Sequence, residues 1–300
     1  MPKLTAIVPA TDDPPTLVAA VGAIEGAEDG PEEVIVVTAP GHEGPAAARN
    51  LGAGDAKGDV LVFVDSDVVV HPDAFTRIRA AFDGDPRLVA VFGSYDDAVG
   101  DADVISAFRN LLHREVHVSS AGEAQTFWVG LGAVRRDRFM EVGGFDAVRY
   151  PAPAIEDIEL GLRLTDAGHR IVLDPAIQGR HLKRWSLRAM VKTDVFSRGV
   201  PWVRLMAERR SAPPVLNLGP RHRASALASV AFGGACALRR PREATAALLA
   251  LVALNRTFYA RLWRAGGPRL GLASPGLHIV HHLSAVVAVP LGLLLYLLRR

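Results

Sequence analysis

The chain has 300 residues, of which 49% are hydrophobic, and its formal net charge is +2. This length favours one large domain with an addition, or two modest domains. The one cysteine, Cys236, excludes an intrachain disulfide and a cysteine-based metal cluster.

The small net charge hides two opposite regions. Residues 1–200 hold 20 Lys and Arg against 30 Asp and Glu, which gives −10, and residues 201–300 hold 14 Arg against two acids, which gives +12. The arginines of the second region flank long uncharged runs, a pattern that favours a bilayer surface over nucleic acid. We therefore expect a membrane partner and no nucleic-acid partner.

Alternating strand and helix patterns open the chain. Leu4–Pro9 is a short apolar strand, the prolines that follow Thr11 suit the first turn of a helix ending near Gly26, and residues 34–37 form a second apolar run. A helix rich in small residues begins near Gly44. This order predicts a parallel sheet with right-handed crossovers. No glycine-rich phosphate loop follows the first strand, and no signal-peptide pattern precedes it, so we expect this region to stay in the cytoplasm.

The third strand carries the first acidic motif. After Asp59, residues 60–64 form an apolar run typical of a buried strand, which is followed by Asp65 and Asp67 with Ser66 between them. An unpaired carboxylate at a buried strand end is costly, and ligands of open α/β sheets bind at the carboxyl ends of strands. Two acids there suit a hard divalent cation that keeps positions open for phosphate oxygens. The alternative is an ordinary strand-to-turn junction, where aspartate is also favoured.

Further strands are predicted at residues 88–93, 127–136 and 171–175, with a helix at residues 101–120 between the first two. The strand at residues 127–136 contains Gly130 and Gly132, which permit close approach of the backbone to a ligand.

A second acidic motif, Glu156 and Asp157, opens a later predicted helix. Acids in a first helical turn are also favoured by the helix dipole alone. His181 follows the last predicted strand, and Arg184 and Trp185 come soon after it. A lone histidine is usually structural, but one at a strand end of the same sheet is a candidate ligand of the metal.

Together these motifs resemble the inverting family 2 glycosyltransferases of the membrane-associated bacterial type. The resemblance covers residues 4–202. It rests on Ile7-Val8-Pro9 with two aspartates just after, and on residues 48–52, 62–67 and 142–146, followed by Glu156-Asp157. It implies the α/β GT-A fold of nucleotide-diphospho-sugar transferases, a mostly parallel sheet flanked by helices, here followed by a C-terminal helical membrane region.

The resemblance also implies roles for individual residues. Asp65, Asp67 and His181 would hold Mg²⁺ or Mn²⁺, which neutralises the leaving diphosphate. Asp157 would act as the general base, and Glu156 would orient the site or the acceptor. The implied nucleotide-sugar contacts are Pro9, Thr11, Asp12, Thr38, Arg49, Asp65, Gly130, Arg184 and Trp185.

Some positions depart from the family pattern. His181 stands where processive polysaccharide synthases carry glutamine in a Q-x-x-R-W motif, which argues against processive synthesis. Arg184 would still contact diphosphate, whereas Trp185 would either meet an acceptor sugar or pack under the sheet. Thr38 replaces a common base-binding aspartate and Thr11 a frequent aromatic residue, so the choice among UDP, GDP and TDP stays open.

The last third of the chain changes character. A basic amphipathic helix is predicted near residues 198–210, followed by uncharged runs at residues 224–238, 244–254 and 271–298. The last is long enough to span a bilayer, whereas the first two would be tilted spans, re-entrant or interfacial helices, or a buried hairpin of a soluble domain. His278, His281 and His282 share one helical face and would bind metal, line a polar bundle face or meet a lipid headgroup.

We therefore predict a GT-A catalytic domain over residues 1–210 and a membrane-anchoring region over residues 211–300. The predicted activity moves a sugar from a nucleotide-diphosphate donor to a lipid or lipid-linked acceptor of the cell envelope, such as a polyprenyl phosphate, a polyprenyl-linked glycan, a glycerolipid or a hopanoid-like lipid. The predicted location is the cell membrane, with the catalytic domain facing the cytoplasm. The alternatives are a nucleotidyltransferase and a non-catalytic scaffold or partner in a membrane assembly.

Overall fold

The computed structural model describes residues 1–11, 13–38, 44–100, 102–211 and 219–298. The chain divides into two compact units: residues 1–96 with 117–183, and residues 97–116 with 184–300. The first contains the sheet and the second is helical. The unit that contains the sheet thus ends at residue 183. The predicted division into a catalytic domain over residues 1–210 and a membrane-anchoring region over residues 211–300 stays a prediction.

The strands and helices follow the predicted alternation in the first half of the chain. The strands are β1 Leu4–Pro9, β2 Glu33–Val37, β3 Val60–Val64, β4 Val68–Val70, β5 Leu88–Tyr95, β6 Gly122–Ala124, β7 Leu131–Arg135 and β8 Arg170–His181. The helices are α1 Leu17–Glu25, α2 Pro45–Asp55, α3 Ala74–Gly84, α4 Val104–Ser119, α5 Arg136–Glu141, α6 Glu156–Asp166, α7 Leu187–Lys192, α8 Val200–Arg209, α9 Pro220–Ala237, α10 Pro241–Leu254 and α11 Arg256–Leu297. A π-helical segment, Thr193–Gly199, joins α7 to α8.

The strands form one mixed sheet in the order β2-β1-β3-β7-β5-β8-β4, with β6 paired to β8. The edge made of β2, β1 and β3 is parallel, as the strand–helix–strand pattern predicts. β7 lies antiparallel between β3 and β5, and β5 is parallel to β8. Consequently β1, β2, β3, β5 and β8 all end at the same edge of the sheet, and the antiparallel strands β4 and β7 begin there.

The core of this unit lies around the sheet. Residues of β1 and β3 are buried along their full length, which explains their continuous apolar sequences. Phe63 packs against Phe139 and Phe145, with ring centroids 5.5 and 5.2 Å away. Phe145 follows Gly143 and Gly144, whose φ angles of +83° and +66° suit glycine and turn the chain back toward the sheet.

The helical unit has a separate core, in which Phe108, Trp185, Phe258 and Leu262 are buried. α11 is interrupted at Gly267, where φ is +66°, a left-handed value that glycine adopts readily. Among the described residues, one helix, α11, is long and apolar enough to cross a membrane.

Candidate active site

One edge of the sheet collects most of the candidate residues. Pro9 ends β1, Thr38 follows β2, Asp65 follows β3 and His181 ends β8. Because these strands run in the same direction, their last residues meet at this edge. β7 starts beside the end of β3, with Leu131 opposite Val64, and Gly130 therefore comes next to Asp65. The Asp65 backbone N–H donates to the Gly130 carbonyl at 3.1 Å.

Arg49 joins the two acidic motifs. It projects from α2, and its side chain is only 4% exposed. Its Nη2 atom donates to Asp65 Oδ1 at 2.6 Å, and its Nη1 atom donates to Glu156 Oε1 at 3.1 Å. A buried guanidinium flanked by two carboxylates satisfies charges that would otherwise be costly to bury.

The electrostatics of Arg49 extend to Asp157. Burial alone would lower the pKa of Arg49, but the charges of Asp65 and Glu156 raise it, and Asp157 adds to this effect. The guanidinium therefore stays positive, and it interacts with Asp65 after β3 and with both acids at the start of α6. The neighbouring Asn50 fixes the same helix to the turn after α5, since its amide exchanges two hydrogen bonds with the Phe145 backbone at 2.8 and 2.9 Å.

Glu156 and Asp157 have different surroundings at the start of α6. Glu156 is buried, and its second oxygen accepts a hydrogen bond from the Ala154 backbone N–H at 2.9 Å. Asp157 is half-buried and accepts a long hydrogen bond of 3.4 Å from the Val129 backbone N–H. Both carboxylates thus have structural partners, since the Ile158 backbone N–H also donates to Asp157 Oδ1 at 2.8 Å, but Asp157 is the more exposed of the two residues.

A glycine in α6 sets the position of that helix. A Cβ atom at Gly161 would lie 2.3 Å from the Phe127 backbone nitrogen, closer than a side chain can approach. α6 therefore lies directly against the segment that leads to Val129 and Gly130. This segment contacts Asp157 through Val129 and Asp65 through Gly130, so it connects the two motifs a second time.

The pair Asp67 and His181 forms where β4 meets β8. Val68 lies opposite His181 in the antiparallel ladder, and the Leu182 N–H donates to the Asp67 carbonyl at 2.8 Å. As a result Asp67 Oδ2 and His181 Nε2 lie 3.4 Å apart. Burial would raise the pKa of the Asp67 carboxyl, but the hydrogen bond and charge of His181, with Lys183, hold that pKa below its usual value.

Tyr95 supports the imidazole of His181. The two rings are stacked, with centroids 4.3 Å apart and planes 8° from parallel. Trp128 packs edge-on against Tyr95, with centroids 4.9 Å apart. Neither Tyr95 nor Trp128 is among the predicted site residues, although an aromatic residue at the end of β5, in the same sheet as the acids, is a signal that indicates Tyr95.

The donor set fits a divalent cation in part. Adjacent ligands of an octahedral cation at about 2.1 Å lie roughly 3 Å apart, close to the separation of Asp67 and His181. Carboxylate and imidazole are both ligands of Mn²⁺, and carboxylate suits Mg²⁺. Asp65 is bound to Arg49, and within the described ranges no three His, Cys, Asp or Glu side chains are close enough together to hold a metal. The residues therefore fit a cation that takes its remaining ligands from a bound diphosphate or water.

The other predicted donor contacts have varied surroundings. Thr11 is half-buried just after β1, Thr38 is exposed, and Asp12 lies outside the described residues. Arg184 is exposed, whereas Trp185 is buried in the helical core, where Arg109 lies 5.3 Å from its ring centroid. Of the two roles considered for Trp185, packing is the one that its burial supports, and a sugar contact stays a prediction.

Comparison with known proteins identifies what the chain is similar to. Residues 11–142 match the family model described as Glycosyl transferase family 2. The pre-mycofactocin glycosyltransferases of two Mycobacterium tuberculosis strains are 27% identical over 173 residues, which is 56% of this chain and 36% of theirs. The chain therefore aligns with about a third of the length of these curated relatives.

Solved structures show the same fold. A mannosyltransferase from Pyrobaculum calidifontis, in complex with GDP-Man and Mn²⁺, aligns with a TM-score of 0.55 at 18% identity over 95% of this chain and 87% of its own. GalNAc-T7, solved with UDP, GalNAc and Mn²⁺, aligns with a TM-score of 0.50 at 15% identity over 69% of this chain and 48% of its own. The predicted GT-A fold is confirmed, and the predicted resemblance is supported by the family 2 glycosyltransferase model, which matches somewhat less than half of the chain.

Proposed function

We propose that this protein transfers a sugar, with inversion, from a nucleotide-diphosphate donor to a lipid or lipid-linked acceptor at the cytoplasmic face of a membrane. The observation that carries the proposal is the bridge formed by Arg49 between Asp65 and Glu156, because it brings the two acidic motifs to one site. The family match and the fold support a nucleotide-sugar donor.

The site residues have separate roles toward the donor and the acceptor. Asp67 and His181 would hold Mg²⁺ or Mn²⁺, which when bound would neutralise the charge of the departing diphosphate, and Asp65 stays a predicted third ligand. The solved neighbours contain Mn²⁺ with GDP-Man or with UDP, which supports a cation and a nucleotide diphosphate but does not choose the base. Arg49 holds the Asp65 carboxylate through its ion pair at 2.6 Å.

Asp157 acts on the acceptor. Its carboxylate accepts the proton of the acceptor hydroxyl while the hydroxyl oxygen forms a bond to the anomeric carbon. The bond from that carbon to the diphosphate oxygen breaks, and the nucleoside diphosphate leaves with the bonding electrons. Attack on the face opposite the leaving group inverts the anomeric configuration. Glu156 is occupied by Arg49 and the Ala154 backbone, and it orients the start of α6.

The helical unit supports a membrane location. The part of α11 after Gly267 exposes Val287, Leu294 and Leu297 to between 50 and 63%, while it buries Ser274, His278 and Ser284. A helix in water shows the reverse distribution, with polar residues outside. The arginine-rich surroundings suit an anionic cytoplasmic leaflet. An anchored enzyme meets its lipid acceptor within the bilayer.

Two experiments test these proposals separately. Thermal shift with GDP-Man, UDP-sugars and TDP-sugars, each with and without Mn²⁺, tests donor binding, because a bound donor stabilises the native state. We expect one nucleotide class to raise the melting temperature only when Mn²⁺ is present, and no shift with any of them would contradict the activity. Alkaline carbonate extraction tests the anchor: we expect the protein to stay with the membrane, and its release would exclude an integral anchor.

A further inference from the structure

The hairpin of α9 and α10 buries polar residues, together with Ala235, Ala247 and Leu251, and exposes large apolar residues. Ser225, Ser229 and Asn255 are fully or almost fully buried. The Asn255 side chain donates to Ser225 Oγ at 2.9 Å, so the end of α10 lies beside the start of α9, as expected for an antiparallel pair. Leu227 and Leu249, by contrast, are 73% and 62% exposed. A hairpin in water would have the opposite arrangement, so this outer face suits hydrocarbon.

The outer face of the hairpin carries no charge between its ends. Residues 224–238, which comprise most of α9 and the residue after it, are uncharged, and so are residues 244–254 of α10. At 1.5 Å per residue these runs measure about 22 and 16 Å, short of the roughly 30 Å hydrocarbon core of a bilayer. Neither helix can therefore cross a bilayer of ordinary thickness with its charged ends at both surfaces.

Every end of the hairpin carries arginine. The positions are Arg221 and Arg223 at the start of α9, Arg239, Arg240 and Arg242 at the turn, and Arg256 after α10. The three turn arginines are all exposed. If the hairpin entered the bilayer turn first, these three charges would reach the hydrocarbon, which is costly. If it lies flat, no charge has to enter the hydrocarbon; Arg221 keeps its ion pair with the buried Glu115 at 3.3 Å, and the other five arginines can lie at the level of the lipid headgroups.

We infer that the hairpin of α9 and α10 lies in the plane of an anionic bilayer surface, with its Leu-rich outer face in the acyl region and its arginines among the phosphates. The inference rests on the membrane association proposed above and specifies its form. It assigns this hairpin to the interface and leaves α11 as the helix long enough to span. An in-plane helix of this kind buries its apolar face about 5–10 Å below the headgroup boundary.

The single cysteine makes the test direct. Cys236 is exposed and lies near the end of α9, so a polarity-sensitive thiol dye can be attached to the full-length protein without mutation. In a Cys236→Ser background, Ala250→Cys places the dye on exposed α10 and Arg240→Cys places it at the turn. Val18→Cys, 85% exposed on α1 in the other unit, is the reference for a dye in water.

The labelled proteins are added to vesicles of phosphatidylcholine and phosphatidylglycerol that contain nitroxide lipids. We expect a blue shift and loss of fluorescence at positions 236 and 250 with nitroxides near the headgroup, and a smaller loss with nitroxides near the chain end. The dye at position 240 should remain quenchable by iodide added outside the vesicles. The fluorescence of the dye at position 18 should not change when the nitroxide lipids are present.

Three results would overturn the inference. Deep lipid quenching at position 240 would mean a re-entrant hairpin, and a dye there that iodide reaches only from the lumen would mean a spanning one. Iodide quenching at positions 236 and 250 without lipid quenching would mean a hairpin in water, even where α11 holds the protein on the vesicle. Loss of all vesicle binding would instead refute the membrane association, and donor binding measured in the same samples reports on the transferase proposal independently.

Discussion

Arg49 and Glu156 lie 107 positions apart in sequence, and their Nη1 and Oε1 atoms are 3.1 Å apart in the structure. The same guanidinium also donates to Asp65, so one buried side chain fixes the spacing between the acids after β3 and the acids that open α6. The arrangement explains how a pair of carboxylates can be kept close together before any cation or donor binds.

Removal of this guanidinium should destabilise the sheet unit. In Arg49→Gln, Glu156 stays buried without its cationic partner, a change that typically costs about 3–5 kcal/mol. Arg49→Lys should recover part of this loss, because the ammonium keeps the charge but lacks the planar fork. Chemical denaturation measures both changes. Arg87→Gln, at a side chain 84% exposed, is the control and should change stability by less than about 0.5 kcal/mol. Wild-type stability of Arg49→Gln would contradict the role of the bridge.

The metal role of Asp67 and His181 can be separated from their structural role. His181→Phe removes the ligating nitrogen but keeps an aromatic ring to stack on Tyr95, and Asp67→Asn removes a charged ligand oxygen. We expect either variant to lower Mn²⁺ affinity at least about tenfold, as measured by the electron paramagnetic resonance signal of free Mn²⁺. Asp137→Asn, at an exposed carboxylate, should bind Mn²⁺ like the wild type. Unchanged affinity in both site variants would remove the cation from this position.

A glycine-to-alanine change in α6 should destabilise the protein, against the usual rule for helices. Alanine in a helix is normally more stable than glycine by about 0.5–1 kcal/mol. At Gly161, however, the new Cβ would lie 2.3 Å from the Phe127 backbone nitrogen. α6 must therefore move away from the segment that contains Phe127 and Val129, whose backbone N–H donates to Asp157. Gly54→Ala in α2 is the matched control, because its Cβ would meet nothing within 4 Å. Denaturation should show loss of stability for the first variant and a small gain for the second.

The helical unit should lose stability in acid through Asp194. Burial would raise the pKa of this carboxyl, but the charges of Arg109 and His281 lower it to about 2. Because the pKa is lower folded than unfolded, the stabilisation is present above about pH 4 and disappears as the pH falls through about 2, for a total of about 2 kcal/mol. In detergent, the difference in melting temperature between wild type and Asp194→Asn should shrink from pH 5 toward pH 2. A constant difference would contradict the assignment.

The sequence predicted the part of the fold that local patterns control. The apolar run of β3 and the acids that follow it are strong signals because a buried strand leaves no other reason for charge at its end. Arg49 was expected to contact the donor, and the structure adds that its guanidinium is engaged by Asp65 and Glu156, which no local pattern indicates.

Pairing over long distances accounts for what the sequence analysis missed. β4 has only three residues and follows a turn, so its valines did not stand out as a strand. Its antiparallel pairing with β8 is nevertheless what sets Asp67 beside His181. The direction of β7 was also not predictable, since a strand between two parallel neighbours reads the same in either orientation. That direction brings Gly130 to Asp65.

The anomeric configuration of the product tests the central claim most directly. With a donor whose sugar is α-linked to the diphosphate, nuclear magnetic resonance should show a β-linked product for the wild type. Asp157→Asn should still bind the donor but form product at least about a hundredfold more slowly, because it cannot accept the acceptor's proton. An α-linked product, or transfer by Asp157→Asn at the wild-type rate, would contradict inversion by the acids that Arg49 brings together.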